Sequence, residues 1–359
     1  MVNDNTRGNP LAADLEHILE HTAALWENIR GARIFVTGGT GFFGAWLLES
    51  FAWTNKKLGL GARVLVLSRD PGKFARKCPH LANDPSVDFL IGDVRDFEFP
   101  SERFDYVIHA ATEASAKLNE ENPLLMVETI VDGTRRTLGF ARRSQARRFL
   151  YISSGAVYGK QPPDLSRIPE DYLSAPDPLD SRSAYGEGKR LSELLCSIYK
   201  KQFRIKAIIA RCFAFVGPYL NLDIHYAVGN FIRDGLSGGP IRVSGDGTSF
   251  RSYMYAADLA IWLWTLLFRG EPGEAYNVGS EDAVTIKELA QEVSAAFLHS
   301  PDVVIAKTPI PGRPQEQYVP SVKKGRKELG LDVWIKLDEA LRRTIAFSEQ
   351  HDCAADGGT

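Results

Sequence analysis

The sequence predicts an α/β fold: a doubly wound parallel-sheet Rossmann domain with a smaller mixed C-terminal lobe. Three observations predict it. Six short runs are apolar at nearly every position and alternate with helical stretches. The first run passes straight into a glycine-rich turn and an apolar helix, and the alternation stops after Arg211. A run apolar on both faces suits a strand covered on both sides, as crossover helices cover a parallel sheet.

The elements follow in order. Residues 11–29 read as a helix, with Leu11, Leu15, Ile18, Leu19, Ala23, Leu25 and Trp26 at helical spacing. They make residues 1–30 an N-terminal extension, expected to cap an edge of the sheet. Strands are expected at 33–37, 63–67, 87–91, 105–109, 148–152 and 205–210, within a dinucleotide-binding domain over 31–211. Beyond it, Pro218, the glycine-rich turn at 235–240, Pro272 and the proline-rich segment 309–314 punctuate a lobe over 212–345. Leu259 to Phe268 reads as a buried helix, and 253–280 is expected to return to the main domain through A-Y-N-V-G at 275–279. Residues 346–359 are expected to form a tail.

Bulk numbers exclude several classes. With 359 residues, 44% of them hydrophobic and 25% charged, the chain can bury a large core and a second lobe. A net charge of −2 argues against general nucleic-acid binding. Cys78, Cys196, Cys212 and Cys353 form no C-x-x-C pair, so no metal knuckle or disulfide framework is expected. The N-terminus lacks the apolar run of a signal peptide, and Leu259 to Phe268 is far short of the ~20 residues that span a bilayer. A cytoplasmic protein without a membrane partner is expected. His17 to His21 matches the zinc-peptidase pattern H-x-x-E-H without a recognisable third ligand, so it reads as the polar face of a packing helix. His109 and His225 have no partner spacing for a metal, and the arginine-rich run 142–148 reads as a solvated helix end.

The glycine-rich turn carries chemistry. Gly38, Gly41 and Gly44 follow the first strand in T-G-G-T-G-F-F-G, a turn that also holds Phe42 and Phe43, and an apolar helix, A-W-L-L-E-S-F, comes next. Glycines there allow a tight turn, close approach of backbone amides to a pyrophosphate, and close helix–strand packing. The helix N-terminus adds free N–H groups and the positive end of a dipole. The dinucleotide is NADP or NAD. Ser68 occupies the position where an acid would grip the ribose of NAD, and Arg69 after it suits a 2′-phosphate, which favours NADP. If Arg69 is only a loop charge and Asp70 takes the ribose, NAD is the cofactor. Asp93, beside Val94 in I-G-D-V, can accept from the adenine amino group, and Ala110 and Ala111 in H-A-A-T leave room for the cofactor.

Tyr185 and Lys189 stand four residues apart, on one face of any helix that holds them. Alone, Y-x-x-x-K decides nothing. In the order G-G-T-G-F-F-G, I-G-D-V, H-A-A-T, S-S-G-A-V-Y-G and S-A-Y-G-E-G-K, however, residues 31–345 resemble the extended short-chain dehydrogenases. In particular they resemble the NAD-dependent nucleotide-sugar epimerase/dehydratase family.

The resemblance implies that Tyr185, as phenolate, takes the proton of a sugar hydroxyl at C4 while hydride passes to the nicotinamide. Lys189 would lower the tyrosine pKa from its usual ~10 and hold the nicotinamide ribose, and Ser154 would hydrogen-bond the same sugar oxygen. Dehydratases of the family carry Asp-Glu after the Ser/Thr, and decarboxylases a Glu before V-Y-G. Gly155 and Ala156 stand there in this chain. A 4-epimerase or 4-ketoreductase is therefore expected first. The phrase Y-G-E-G-K-R-L-S-E is similar to the decarboxylases, and Glu113 could supply a carboxylate to a 4,6-dehydratase or UDP-glucuronate decarboxylase-like enzyme; it could equally be a loop charge beside Lys117. A same-fold reductase of steroid-like or phenolic alcohols and a non-catalytic NADPH-binding scaffold are the remaining alternatives. The resemblance further implies that Asn230, Arg251 and Arg313 hold the diphosphate of a nucleotide sugar and that the chain forms a homodimer. Ile130 and Ala214 stand where many relatives have Asn; the second of these Asn residues touches the nucleotide diphosphate in such relatives, so Ala214 bears on that contact and on the identity of the nucleotide.

Overall fold

The computed structural model describes residues 9–112, 116–223 and 226–356. Two compact units divide the chain. The first takes the chain up to Gly159, then Ser174–Cys212 and Ala260–Tyr276; the second takes Lys160–Leu173, Phe213–Leu259 and the chain from Asn277 on.

The first unit is built on a seven-stranded sheet, the fold class expected from the sequence. Its strands are β1 (Arg33–Thr37), β2 (Arg63–Ser68), β3 (Val87–Ile91), β4 (Tyr106–His109), β5 (Arg148–Ser154), β6 (Ala207–Cys212) and β7 (Ala275–Val278). They lie in the order β7-β6-β5-β4-β1-β2-β3, and β1 to β6 pair in parallel. The strand order reverses at β1 and β4, where a doubly wound sheet opens a crevice at the carboxyl ends of its strands. Strands β5 and β6 run two residues past the apolar stretches that announce them. The reason is polar satisfaction: Ser153, at the end of β5, is buried with its hydroxyl bonded to Glu193.

Helices α1 (Ala12–Thr22), α2 (Phe42–Leu58), α3 (Pro123–Ser144), α4 (Ala184–Phe203) and α6 (Ala256–Arg269) flank these strands in sequence, with α5 (Ala227–Leu236) between the last two. Phe35 of β1 packs with Phe97, Phe104 and Phe140, with ring centroids 4.6–5.7 Å apart. This aromatic cluster joins β1 to α3. The N-terminal helix departs from its expected place. Rather than capping a sheet edge, α1 lies on α2, where Trp53 Nε1 donates to Glu16 at 2.9 Å. The turn after it sets Trp26 against Trp264 of α6, with centroids 5.0 Å apart, and Trp264 Nε1 donates to Ser50 Oγ. Three large apolar rings and their bonded N–H groups hold the extension here. Leu259 to Phe268 is almost wholly buried in α6, and no helix among the described residues is long and apolar enough to cross a membrane.

The second unit carries α5, α7 (Ile286–Ala296), α8 (Leu337–Asp356) and small sheets. Thr285 and Glu288 form a reciprocal capping box at the start of α7. Phe250–Ser252 lies between Ala283–Thr285 and Gln317–Tyr318, and Ile241–Val243 pairs with Val303–Ile305. Asp258 accepts from the backbone N–H groups of Trp334 and Ile335, which fixes the approach to α8. That last helix runs past position 346, where a tail was expected.

Candidate active site

The cradle begins where β1 ends. Gly38 has φ of 72°, and a Cβ there would lie 2.5 Å from the backbone carbon of Ala110. A Cβ on Gly44 would lie 2.3 Å from the Cα of Gly39. Both positions admit only glycine because backbone meets backbone. Gly41 differs: the nearest atom to its Cβ would be Gly38 O at an ordinary 3.5 Å, so internal packing makes no demand for glycine. Gly41 is also the N-cap of α2 and makes no side-chain cap, so the N-terminal end of α2 opens directly onto the cradle. An exposed cap without Cβ, at the positive end of a helix dipole, fits the pyrophosphate of a dinucleotide.

Beyond the cradle, Ser68 closes β2 and is buried, and Arg69 after it is exposed. Asp70 is already committed. Its Oδ1 caps the following helix by accepting Lys73 N–H at 2.9 Å, and its own N–H donates to Ser68 Oγ. Asp93 accepts from Arg95 Nε at 2.8 Å and Nη2 at 3.1 Å. That guanidinium, with a smaller contribution from Arg69, holds the Asp93 carboxyl below its ordinary range. Val94 is buried against α3, where a Cβ on Gly133 would come within 2.9 Å of it. Ala110 N–H donates to Thr37 O and Ala111 N–H to Thr37 Oγ1, so the A-A pair borders the cradle.

Tyr185 and Lys189 both lie on α4. Asn119 fixes the start of that helix: its Oδ1 accepts Tyr185 N–H at 2.9 Å and its Nδ2 donates to Arg182 O at 2.7 Å. Lys189 is only 3% exposed. Its Nζ donates to Thr112 Oγ1 and to Ile152 O, both at 2.8 Å, and sits 5.9 Å from the centroid of the Tyr185 ring. Burial lowers the Lys189 pKa to about 7. Ser154 ends β5, buried, with Oγ accepting Ala156 N–H at 3.2 Å. Asn119 and Thr112 escape a reading of the sequence; Thr112 is the last letter of H-A-A-T, and that position beside the cofactor strand is the signal that could have found it.

His109 ties the cradle to α3. Thr134 Oγ1 donates to Ile130 O at 2.6 Å, so it accepts from His109 Nε2–H at 3.0 Å. His109 Nδ1 then accepts from the Thr37 hydroxyl at 2.7 Å, and Thr37 Oγ1 in turn accepts from Ala111 N–H. Burial pushes the His109 pKa down to about 3, so the ring is neutral. Among the described residues, no group of three or more His, Cys, Asp or Glu could hold a metal ion.

A model of the NAD dependent epimerase/dehydratase family matches residues 34–279. The chain belongs to this family. It is an NAD-dependent nucleotide-sugar enzyme. UDP-glucuronic acid decarboxylases 1 and 6 of Arabidopsis thaliana are each 32% identical to it, over 88% and 86% of this chain and 69% and 86% of theirs. Among solved structures, the UDP-glucose 4-epimerase of Thermotoga maritima with UDP-glucose superposes with a TM-score of 0.77 at 22% identity, over 89% of this chain and 99% of that one. The dTDP-glucose 4,6-dehydratase DesIV of Streptomyces venezuelae, solved with NAD and TYD, gives 0.75 at 24% identity, over 90% and 98%. Both share the fold.

Within this epimerase/dehydratase family the chain has its own features. Ile130 is buried on α3, and a Cβ on Gly188 of α4 would come within 3.3 Å of it, so the isoleucine packs the two helices together. Ala214 O accepts from Met254 N–H. Of the residues expected on the diphosphate, all three lie in the second unit. Asn230 is half-buried on α5. Arg251 is half-buried, opposite Tyr318 in strand register, and Nη1 donates to Phe250 O at 2.7 Å. Arg313 is exposed; hydrogen bonds from Thr248, with a smaller contribution from the Arg313 charge, hold the Asp246 carboxyl below its ordinary range. Glu113 and His225 lie outside the described residues.

Proposed function

We propose that this enzyme oxidises C4 of a nucleotide-linked hexuronate and releases C6 as carbon dioxide, in the manner of a UDP-glucuronate decarboxylase-like enzyme. The observation that carries this is the likeness to UDP-glucuronic acid decarboxylases, which extends over 86–88% of the chain and favours them over the 4-epimerase reading. Ala156, where decarboxylases of the family carry Glu, is compatible with it. Bound NAD(P) supplies the hydride acceptor for C4. Tyr185 as phenolate takes the C4 hydroxyl proton, with Lys189 one turn away favouring the charged form and Ser154 orienting the oxygen. A C4 ketone stands β to the C6 carboxylate. The C5–C6 bond then breaks with its electron pair passing to the C4 oxygen, and expelling carbon dioxide requires no proton from position 156. The Tyr185 phenol and the Ser154 hydroxyl donate to the enolate oxygen as charge develops there; C5 would then take a proton from water, and C4 would take back its hydride with the Tyr185 proton going to the oxygen, so that the net change is loss of carbon dioxide.

Three finer assignments accompany this reading. Arg69, with Asp70 spent on a helix cap, supports acceptance of a 2′-phosphate and hence of NADP beside NAD. Asn230, Arg251 and Arg313 would hold the diphosphate. Leu191, Leu194 and Ile198, exposed on α4 at helical spacing, together with exposed Leu124 on α3, support a homodimer through these helices.

The test is product mass and sugar NMR after incubation with UDP-glucuronate and with neutral UDP-, dTDP-, GDP- and CDP-sugars. Loss of carbon dioxide from UDP-glucuronate is expected. Unchanged mass with an inverted C4 would replace this reading by 4-epimerisation, loss of water by dehydration, and gain of two hydrogens by ketoreduction.

A further inference from the structure

Tyr185, Lys189 and Glu193 follow one another at four-residue steps on α4 and so share a face. Glu193 is the member with no part in the reaction described above, yet it is deeply set: the Glu193 and Arg211 side chains are 11% and 17% exposed. Ser153 Oγ donates to Glu193 Oε1 at 2.6 Å. Arg211, opposite Ser153 in the register of β5 and β6, donates from Nη2 to Glu193 Oε2 at 2.7 Å and from Nε to Oε1 at 3.1 Å. Its remaining arm, Nη1, donates to Tyr158 Oη at 2.7 Å. One carboxylate and one guanidinium thus join the end of β5, the turn 155–158, β6 and α4.

A buried ion pair is weak evidence for stability, because apolar residues of like volume often do as well. A network in which two arms of the fork hold the carboxylate on α4 and the third holds the turn at Tyr158, while that carboxylate also holds Ser153, does fix relative position. The residue next to Ser153 is Ser154, and the turn held at its far end by Tyr158 contains Gly155 and Ala156.

We propose that Glu193, clamped by Arg211, is a positioning residue for C4 oxidation: it pins the strand end that presents Ser154 to the helix that presents Tyr185 and Lys189. This rests on the C4-oxidation reading. Charge supports it as well as geometry. The Lys189 amine faces His109 from β4, Tyr151 from β5, Cys212 from β6, and Tyr185 and Glu193 from its own helix. Burial drives His109, Tyr151 and Cys212 toward their neutral forms. Glu193 favours the ammonium against the burial that opposes it.

The test compares wild type, Glu193→Gln and Ser153→Ala. For Glu193→Gln, kcat is expected to fall by about 10- to 100-fold with KM for the nucleotide sugar within about 2-fold, and for Ser153→Ala by about 3- to 10-fold. In the protein without cofactor, urea unfolding across pH is measured for each variant and for the same variant carrying Lys189→Met; the pH at which the difference bends reports the lysine. That bend is expected to move to lower pH in Glu193→Gln. Should Glu193→Gln fail to fold, Ser153→Ala decides, since it leaves the ion pair in place. Folded variants with unchanged kcat, or losses of kcat that merely track the folded fraction, overturn the proposal. If wild type turns over no nucleotide sugar, the functional reading fails, and the unfolding experiment still decides the Glu193–Lys189 coupling: an unmoved bend overturns it.

Discussion

Lys189 Nζ lies 2.8 Å from Thr112 Oγ1, so the residue that ends H-A-A-T beside the cradle also anchors the lysine of the Tyr-Lys pair. Thr112 Oγ1 donates its own proton to Ala111 O at 2.7 Å, which leaves it to accept from the amine. Thr112→Val is expected to lower kcat by about 10-fold through misplacement of Lys189, while Thr112→Ser keeps the bond and most of the activity. Steady-state kinetics on both variants check this; equal activity in the two would remove Thr112 from the site.

Lys189 also sets a pH dependence of stability. Its pKa is about 7 in the folded chain and returns to its ordinary value near 10.5 on unfolding. Between those values the unfolded state binds the extra proton, so stability rises with pH across this window, and below about pH 7 the full penalty of the buried charge is present. Lys189→Met is expected to be inactive yet more stable near neutral pH, by on the order of 1–3 kcal/mol after loss of the bonds to Thr112 and Ile152. It should also show a flatter stability profile between pH 7 and 10, which urea titrations at several pH values would reveal.

The three glycines of the cradle separate by what surrounds them. Gly38→Ala and Gly44→Ala force a Cβ to within 2.5 and 2.3 Å of backbone, and a loss of several kcal/mol or failure to fold is expected. Gly41→Ala meets nothing closer than 3.5 Å and should melt within a few degrees of wild type. Its methyl group would stand where the pyrophosphate approaches, so dinucleotide affinity is expected to drop by at least about 10-fold. Calorimetric melting together with titration by NAD and NADP distinguishes the two cases. Wild-type affinity in Gly41→Ala would contradict the assignment.

Tyr185→Phe keeps the ring and removes the hydroxyl. Turnover is expected to fall by about 1,000-fold or more, with dinucleotide binding nearly unchanged, because the proton acceptor is lost and the cradle is not. Full retained turnover would refute the role given to this tyrosine.

Exposed Leu191, Leu194 and Ile198 on α4 give the proposed dimer its own test. Leu194→Glu puts a charge in the middle of that apolar stripe and is expected to shift the protein toward monomer in analytical ultracentrifugation. A wild type that is already monomeric would dispose of the dimer.

What the sequence by itself determined is local and periodic. Runs apolar at nearly every position mark β1 and β2 almost to the residue, because a strand covered on both faces leaves few polar positions to confuse the pattern. Gly38 and Gly44 are legible because backbone contact tolerates no side chain, and Tyr185 and Lys189 because helical spacing alone puts them on one face. Tertiary structure decided the rest. Thr112 and Lys189 are 77 residues apart in the chain, and Ser153 and Glu193 40 apart, so no spacing rule could pair them. Arg69 and Asp70 look alike in a string of letters, until the fold spends Asp70 on a helix cap and leaves Arg69 exposed. The ends of β5 and β6 were hidden for the same reason. Polar residues belong in a buried strand only when a partner from elsewhere in the chain satisfies them, and folding alone brings that partner near.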